Sequence, residues 1–399
     1  MITTAGYWLL VVVGVPVFWL VPGKFRYGFL AAASGLYLVS LGGSAVVSIG
    51  LLLFWSTICY ATAPRLAAGE KRYLLPAIVI GVLACLVYFK YMPSLVQAVF
   101  GESVMATVAL PLGISFFTFK LIHYVIEVKR GNITNRSAQQ FFCYMLLFPI
   151  FSAGPIERFD HFLKHQEGRF SKAAFVEGVT RIYQGLIKKL VIADMALPQL
   201  YSVLTHRELS AQTFVGNLDS YSPHGAWLFL AMNFLIAYLD FSSYSDIAIG
   251  TSRLFGIHIM ENFDWPILAT SVGDFWKRWH MTLAGWCQAY LYMTVIGLTR
   301  RPYLAIFMTF VAMGLWHAGS FNWIAWGVWH ATGVAVYVTF LRFKRNKTFV
   351  GAKVAALVTI PATFMFVTAG SAFTFAHPEI SIGEGFRVWL RLFSIHVYF

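Results

Sequence analysis

The stretch "SAVVSIGLLLFWSTICYA" (44–61) runs for 18 residues without a charged side chain. That is close to the roughly 20 apolar residues a helix needs to cross a bilayer. Similar stretches are "GYWLLVVVGVPVFWLV" (6–21) and "YLAIFMTFVAMGLW" (303–316). The 399 residues are 58% hydrophobic and 12% charged, whereas soluble chains carry about 25% charge. These features predict an all-α polytopic membrane protein.

The apolar stretches predict the positions of the membrane helices. No repeat or low-complexity tract separates them, and no loop has room for a soluble domain, so residues 1–399 are predicted to form one transmembrane domain. The stretch 225–258 is long enough for two spans. The candidate spans are 6–22, 28–42, 44–62, 73–92, 108–128, 139–155, 176–200, 225–258, 280–299, 303–318, 321–342 and 351–374.

The ends of the first spans predict how the chain is inserted. "MITTAG" carries no basic residue and no A-x-A site follows the apolar run, so we expect a retained first helix rather than a signal peptide. Lys24 and Arg26 follow the first span, and "PRLAAGEKR" (64–72) follows the third. Because basic loops stay in the cytoplasm, residue 1 is expected outside.

The net charge of +13 and the four cysteines each exclude a class of site. The basic residues lie mainly in loops, where the positive-inside rule and anionic lipid account for them without nucleic acid. The cysteines stand singly in apolar stretches, so neither a zinc site nor a disulfide framework is indicated.

The stretch 139–155 is predicted to be re-entrant. Basic segments flank it on both sides, at 129–136 and 157–172, and would lie on opposite faces if it crossed the membrane. Pro149, Gly154 and Pro155 also disfavour a regular helix. A kinked crossing helix is the alternative.

Two carboxylates lie within the apolar stretch 234–257. Asp240 and Asp246 are six residues apart, so a regular helix would point them in different directions unless it breaks at "SSYS". Ionisable groups within spans are read as functional by default. Asp240, Ser243, Tyr244 and Asp246 therefore either line a polar pocket or cap helix ends near the interface.

A second polar cluster surrounds His280 in "DFWKRWHMTLAGW" (274–286). Trp276 and His280 are four residues apart, so a helix would place them on one face. Lys277 and Arg278 suit a phosphate-bearing donor or partner. They equally suit an interfacial anchor.

Two further histidines follow apolar sequence. His317 comes directly after Trp316, and a neutral imidazole deep in a span is well suited to act as a general base. A satisfied core histidine is the alternative. The same two alternatives are open for His330, and its sequence favours catalysis no more than that of His317.

Several familiar catalytic motifs are missing from the sequence. It has no G-x-S-x-G nucleophile elbow, no phosphate loop, no dinucleotide fingerprint and no H-E-x-x-H. If the chain is an enzyme, direct transfer between two bound substrates with a histidine base is favoured. No metal or bound cofactor is expected.

Long motifs between residues 110 and 340 resemble the membrane-bound O-acyltransferase (MBOAT) family. Within that family they are similar to the branches that O-acetylate bacterial polysaccharides and that transfer D-alanine to teichoic acid. "DFSSYSDIAIG" favours the first branch. The motifs are "LPLGISFFTFKLIHYVIEVKRG" (110–131), "FPIFSAGPIERF" (148–159), "YLDFSSYSDIAIGTSRLFGI" (238–257), "ENFDWPILATSVGDFWKRWHMTL" (261–283) and "GLWHAGSFNWIAWGVWH" (314–330).

The resemblance implies a fold and a mechanism. It implies about 10–12 tilted transmembrane and re-entrant helices around a central channel. His317 falls at the family's invariant histidine and His280 at its second active-site polar residue. A cytoplasmic acyl thioester, acetyl-CoA or an acyl-carrier thioester, would meet an extracytoplasmic hydroxyl there. His317 would take the proton, while His280 would orient either the acyl carbonyl or the attacking group.

The resemblance also implies partners and a location. A multi-pass protein of the bacterial inner membrane would contact membrane lipid and hand the acyl group to a periplasmic acyltransferase and a polysaccharide acceptor. A proton-coupled transporter is the competing function, but no inverted repeat supports it. An inactive scaffold is a third.

Three positions depart from the family pattern. Gln288 and Ala289 stand where the family usually has an Arg-Asp pair, and the Gly-rich loop that follows is shortened to "GLTRRPY". Ala318 replaces the glycine after the histidine. These departures bear on the surface for the donor or partner more than on the chemistry.

Overall fold

A computed structural model describes residues 2–100, 110–135, 137–344 and 352–394. Within these ranges the regular elements are all helices, and the one isolated bridge joins Gln166 and Ile257. The predicted all-α membrane class is confirmed. The chain divides into two compact units, Met1–Leu186 with Ser243–Glu261 and Ile187–Ser242 with Asn262–Phe399. A single domain over 1–399 stays a prediction.

The first unit begins with long apolar helices and ends with short connecting ones. Helix α2 (Arg26–Ser40) packs on α6 (Ala138–Leu146), and α3 (Ser44–Ala67) packs on α5 (Ile114–Lys129). Its buried residues include large aromatic side chains such as Tyr7, Phe148 and Phe159. The helices are α1 (Ala5–Leu20), α2 (Arg26–Ser40), α3 (Ser44–Ala67), α4 (Leu74–Phe100), α5 (Ile114–Lys129), α6 (Ala138–Leu146), α7 (Phe159–Lys164) and α8 (Lys172–Leu186).

The second unit opens with a π-helical segment, Ile187–Ala196, and carries the two histidine motifs. Helix α11 (Pro223–Leu254) begins in this unit, and its residues from 243 onward belong to the first. The helices are α9 (Leu197–Thr205), α10 (Ala211–Gly216), α11 (Pro223–Leu254), α12 (Val272–Arg278), α13 (Met281–Cys287), α14 (Met293–Thr299), α15 (Pro302–His317), α16 (Phe321–Lys344), α17 (Ala352–Ser371) and α18 (Ile382–Arg391).

Four of the described helices are long and apolar enough to cross a membrane, and several shorter apolar helices accompany them. Residues 225–258 do not hold two spans, because α11 is one unbroken helix of 32 residues. The long candidates are Ser44–Ala67, Leu74–Pro93, Pro223–Leu254 and Phe321–Phe343, and the shorter helices are Ala5–Leu20, Pro302–His317 and Ala356–Ser371.

The stretch 139–155 is interrupted as its prolines and glycine predicted. Helix α6 ends at Leu146, and a 3₁₀ turn follows at Phe148–Ile150. No regular element then occurs before α7 begins at Phe159. Which face of the membrane each end of the stretch meets stays a prediction.

The region around the two histidine motifs is more broken than hydropathy predicted. The predicted span 280–299 consists of α13, a π-helical segment at Gln288–Tyr292, and α14. The shortened loop leaves a tight connection to α15, with Arg300 in the left-handed conformation at φ 57°. Helix α15 matches its predicted span closely and ends at His317.

Candidate active site

A cavity of about 230 Å³ lies within the second unit and brings three histidines together. Helices α11, α15, α16 and α17 and the turn before α13 contribute its walls. Seven of the fifteen lining residues are phenylalanine or tryptophan, and the three histidines are among the polar ones. The lining residues are Asn233, Phe234, Ala237, Phe241, Phe275, Trp279, His280, His317, Trp323, Trp326, His330, Val367, Ser371, Thr374 and Phe375.

His317 is placed by the end of α15. The helix stops there because Ala318 is extended, at φ −157°, and closes the last turn with a hydrogen bond from its N–H to Gly314. The His317 ring stacks on Trp323 with ring centroids 4.3 Å apart and meets Trp326 edge-on. The partial negative charge at a helix C-terminus favours the imidazolium that forms when such a ring accepts a proton.

His280 is placed by a tight turn between α12 and α13. It is buried, lies in the left-handed region at φ 43° and ψ 50°, and occupies the position directly before α13 without a side-chain capping bond. Histidine is among the residues that adopt this conformation more often. The imidazole Nδ1 lies 3.0 Å from Oδ1 of Asn262, and the ring meets Phe241 edge-on at 4.8 Å.

The predicted stacking of Trp276 and His280 on one helix face is wrong. Helix α12 ends at Arg278, and Trp279 is extended, so the four-residue spacing is not a helical one. Trp276 instead packs against Phe310 and against His330. Trp316 lies beside both predicted histidines, 4.7 Å from the His317 ring and 6.4 Å from the His280 ring between centroids.

His330 also lines the cavity. Its sequence had left open whether this histidine is functional or a satisfied core residue. Helix α16 carries it two turns beyond Trp323, and it is 1% exposed. Aromatic rings surround it, with Trp326 at 4.7 Å and Trp276 at 5.2 Å between centroids. Its spacing of 13 residues from His317 gave no signal, because the two lie on different helices.

A second cavity of about 440 Å³ lies in the same unit and is lined in part by Trp276. Trp276, Lys277 and Gln288 line it together with apolar side chains of α13, α15 and α16. Gln288, which departs from the family pattern, begins the π-helical segment. Single π-turns inside helices occur frequently at functional sites.

Arg278 is held by carboxylates of its own unit. Its Nε lies 2.9 Å from Asp274, one helical turn earlier, and its Nη1 lies 3.4 Å from Asp264. Burial raises the pKa of Asp274, but hydrogen bonds from Thr270 and Arg278 outweigh it and hold that pKa below its usual value. The predicted role of Arg278 toward a donor stays a prediction.

Asp240 and Asp246 have different cationic partners. Asp240 lies in the second unit, where its Oδ1 is 2.5 Å from Nζ of Lys189. In the first unit, Asp246 is buried and accepts a 2.6 Å hydrogen bond from Arg181. Helix α11 does not break at "SSYS", and both carboxylates lie inside it, so they do not cap helix ends.

Ser243 and Tyr244 lie beside Asp246 in the first unit. Ser243 is buried, and the Tyr244 hydroxyl lies 3.4 Å from that of Ser152. The predicted lining role of Asp240, Ser243, Tyr244 and Asp246 stays a prediction. Arg181 was not predicted as a site residue, because the sequence around it has the pattern of an ordinary amphipathic helix.

The arrangement in the second unit is suited to proton transfer. His280 and His317 line one cavity that is rich in aromatic side chains. Imidazoles are the side chains best matched to proton transfer near neutral pH. The fold and this cavity together define an all-helical membrane protein in which three histidines line one cavity.

Two bacterial alginate O-acetylases and a teichoic acid D-alanyltransferase are similar in sequence to this chain. The probable alginate O-acetylase AlgI of Azotobacter vinelandii is 32% identical over 80% of this chain and 64% of its own length. Its counterpart in Pseudomonas aeruginosa is 35% identical over 68% of this chain and 52% of its own length. The teichoic acid D-alanyltransferase of Bacillus subtilis is 27% identical over 65% of this chain and 67% of its own length.

The family model described as MBOAT, membrane-bound O-acyltransferase family, matches residues 50–376. The chain belongs to this family. It spans about half to two thirds of the length of the curated relatives it matches. The resemblance seen in the motifs between 110 and 340 is confirmed and extends beyond them on both sides.

Proposed function

We propose that this protein is a membrane O-acyltransferase that moves an acetyl group from a cytoplasmic thioester to an extracytoplasmic hydroxyl. The observation that carries the proposal is the cavity that His280 and His317 share. Family membership adds the reaction class. Acetyl-CoA or an acyl-carrier thioester is the donor, and a polysaccharide or a periplasmic acyltransferase partner receives the group.

In the proposed reaction the hydroxyl oxygen bonds to the acyl carbon while the carbon–sulfur bond breaks. His317 takes the hydroxyl proton and returns it to the departing thiolate, so a free thiol leaves and no covalent enzyme intermediate forms. The rings of Trp323 and Trp326 lie against His317, and apolar walls of this kind reduce the competition of water for a bound thioester.

D-Alanyl transfer to a teichoic acid or similar polymer is the second candidate. The D-alanyltransferase of Bacillus subtilis is similar to this chain. The alginate O-acetylases have higher identity, which favours acetyl transfer. Identification of the ester released from the modified polymer by mild base distinguishes acetate from D-alanine.

Replacement of His317 by alanine tests the proposal. A strain that lacks its own transferase is complemented with wild type or His317→Ala at matched membrane levels, and polymer esters are quantified. Loss of the base is expected to reduce transfer by about 10²–10⁴-fold. His224→Ala changes an exposed histidine at the start of α11 and serves as the matched control. Wild-type ester levels with His317→Ala would reject the assignment.

A further inference from the structure

Asn262 is fully buried and contacts His280 from the segment that precedes α12. Its Oδ1 lies 3.0 Å from Nδ1 of His280 and 2.8 Å from the hydroxyl of Thr282. Thr282 is itself 1% exposed. One amide oxygen therefore faces both the imidazole and a hydroxyl that can donate to it.

The backbone fixes this contact as well. The N–H of Met281 donates to the carbonyl of Asn262 at 2.9 Å, and the N–H of Asp264 donates to the carbonyl of Arg278 at 2.9 Å. The segment 262–264 thus runs along the turn that holds His280 in its left-handed conformation. These bonds leave the Asn262 side chain little freedom to move away from the imidazole.

We infer that Asn262 is a positioning residue that holds His280 with its proton on Nδ1. An amide oxygen only accepts, so the ring nitrogen that contacts it must donate. A neutral imidazole carries one N–H, and Nε2 then has a lone pair. Nδ1 is the ring nitrogen that contacts Asn262, and His280 lines the cavity, so Nε2 is the nitrogen that can accept from a bound group.

The position of the proton decides whether His280 orients the acyl carbonyl or the attacking group. This conclusion rests on the proposed function. Orienting an acyl carbonyl requires an N–H at Nε2, whereas a lone pair there accepts from a donor. Because His317 takes the proton of the reacting hydroxyl in the proposed reaction, His280 holds a second O–H or N–H of the substrate. In hydrolases of unrelated fold, a third group likewise orients the imidazole that acts on the substrate.

Two substitutions at Asn262 separate its acceptor role from its volume. Asn262→Asp keeps an acceptor opposite Nδ1, while Asn262→Leu keeps the size without a polar atom. We expect Asn262→Leu to lower kcat by about 10- to 100-fold. Asn262→Asp is expected to retain most transfer and to move the acidic limb of the pH profile upward, because a carboxylate stabilises the protonated ring.

Thr282 supplies a second matched pair. Thr282→Val removes the hydroxyl that contacts Asn262, and Thr282→Ser keeps it. Transfer is expected to fall in the first and to persist in the second. Equal damage by Asn262→Asp and Asn262→Leu would overturn the tautomer assignment. Wild-type activity in Asn262→Leu would overturn the positioning role.

A spectroscopic measurement makes the inference independent of activity. In protein labelled with ¹⁵N-histidine, the His280 signals are assigned by their loss in His280→Gln. Nδ1 is expected to show the shift of a protonated nitrogen and Nε2 that of an unprotonated one, and the reverse pattern overturns the inference. If wild type showed no acyl transfer, or if His317→Ala kept full transfer, the proposed function would be rejected. The ¹⁵N measurement would still decide the tautomer of His280.

Discussion

The three imidazoles of the cavity differ in what holds each of them. His317 stacks on Trp323 at a helix end, and His280 contacts the amide of Asn262. His330 is surrounded by aromatic rings, and its buried Nδ1 has no hydrogen-bond partner among the described residues. A buried polar atom of this kind calls for an explanation. A substrate that contacts this ring would supply one.

His330→Phe tests whether this ring serves the reaction or only fills space. Phenylalanine keeps the aromatic packing against Trp276 and Trp326 and removes both ring nitrogens. We expect transfer to fall by about 10-fold or more, since a lost catalytic hydrogen bond has effects of that order, while thermal stability is kept. Unchanged kcat and KM would assign His330 to packing alone.

At the scale of elements, the crossing of α15 and α16 sets the position of His317 relative to His330. The backbones approach closely at two glycines. A methyl group on Gly314 would collide with the carbonyl of Trp323, and one on Gly327 would lie 2.6 Å from the carbonyl oxygen of Phe310. Backbone atoms cannot move aside as a flexible side chain can, so the crossing requires glycine at both positions.

Gly327→Ala is therefore expected to lower the free energy of unfolding by about 1–3 kcal/mol through overpacking. The measurement is the thermal unfolding midpoint of the detergent-solubilised protein. Gly297→Ala is the matched control in α14, where an added methyl group meets nothing within 4 Å. The control is expected to be neutral or stabilising by about 0.5–1 kcal/mol. Equal behaviour of the two variants would contradict the close crossing.

The start of α7 is held by a carboxylate in the first unit. Glu157 is buried, its Oε1 lies 2.7 Å from Nδ1 of His161, and its Oε2 accepts from the N–H of Met260 at 2.7 Å. The hydrogen bond to Glu157 raises the pKa of His161, with burial and Arg158 opposing and Asp160 adding to the rise. The protonated ring is thus favoured in the folded state.

This pair predicts a pH-dependent stability. Because the folded pKa of His161 is raised, its contribution is fully present below the unfolded value of about 6.5 and is lost as pH rises through the folded pKa. We expect the difference in unfolding midpoint between wild type and His161→Gln to be largest at about pH 5.5 and to shrink toward about pH 9. A difference that grew with pH would contradict this prediction.

At the scale of the whole molecule, hydropathy predicted most helix positions well. The bounds of α1, α3, α15 and α16 lie close to the predicted spans, because long apolar runs have one stable conformation in lipid. Helices were mispredicted where backbone hydrogen bonding changes along an apolar run. The π-helical segments Ile187–Ala196 and Gln288–Tyr292 are examples. Helix α11 is the opposite case, because it continues through "SSYS", where the sequence allowed a break.

The sequence by itself determined the membrane class, the family and the two candidate histidines, because apolar length and long motifs are local properties of the chain. Only the tertiary structure decided which polar groups meet. It placed His330 beside His280 and His317 in one cavity, and Asn262 behind His280. Those contacts depend on where helices end and how closely backbones cross, and such features arise from packing between residues far apart in sequence.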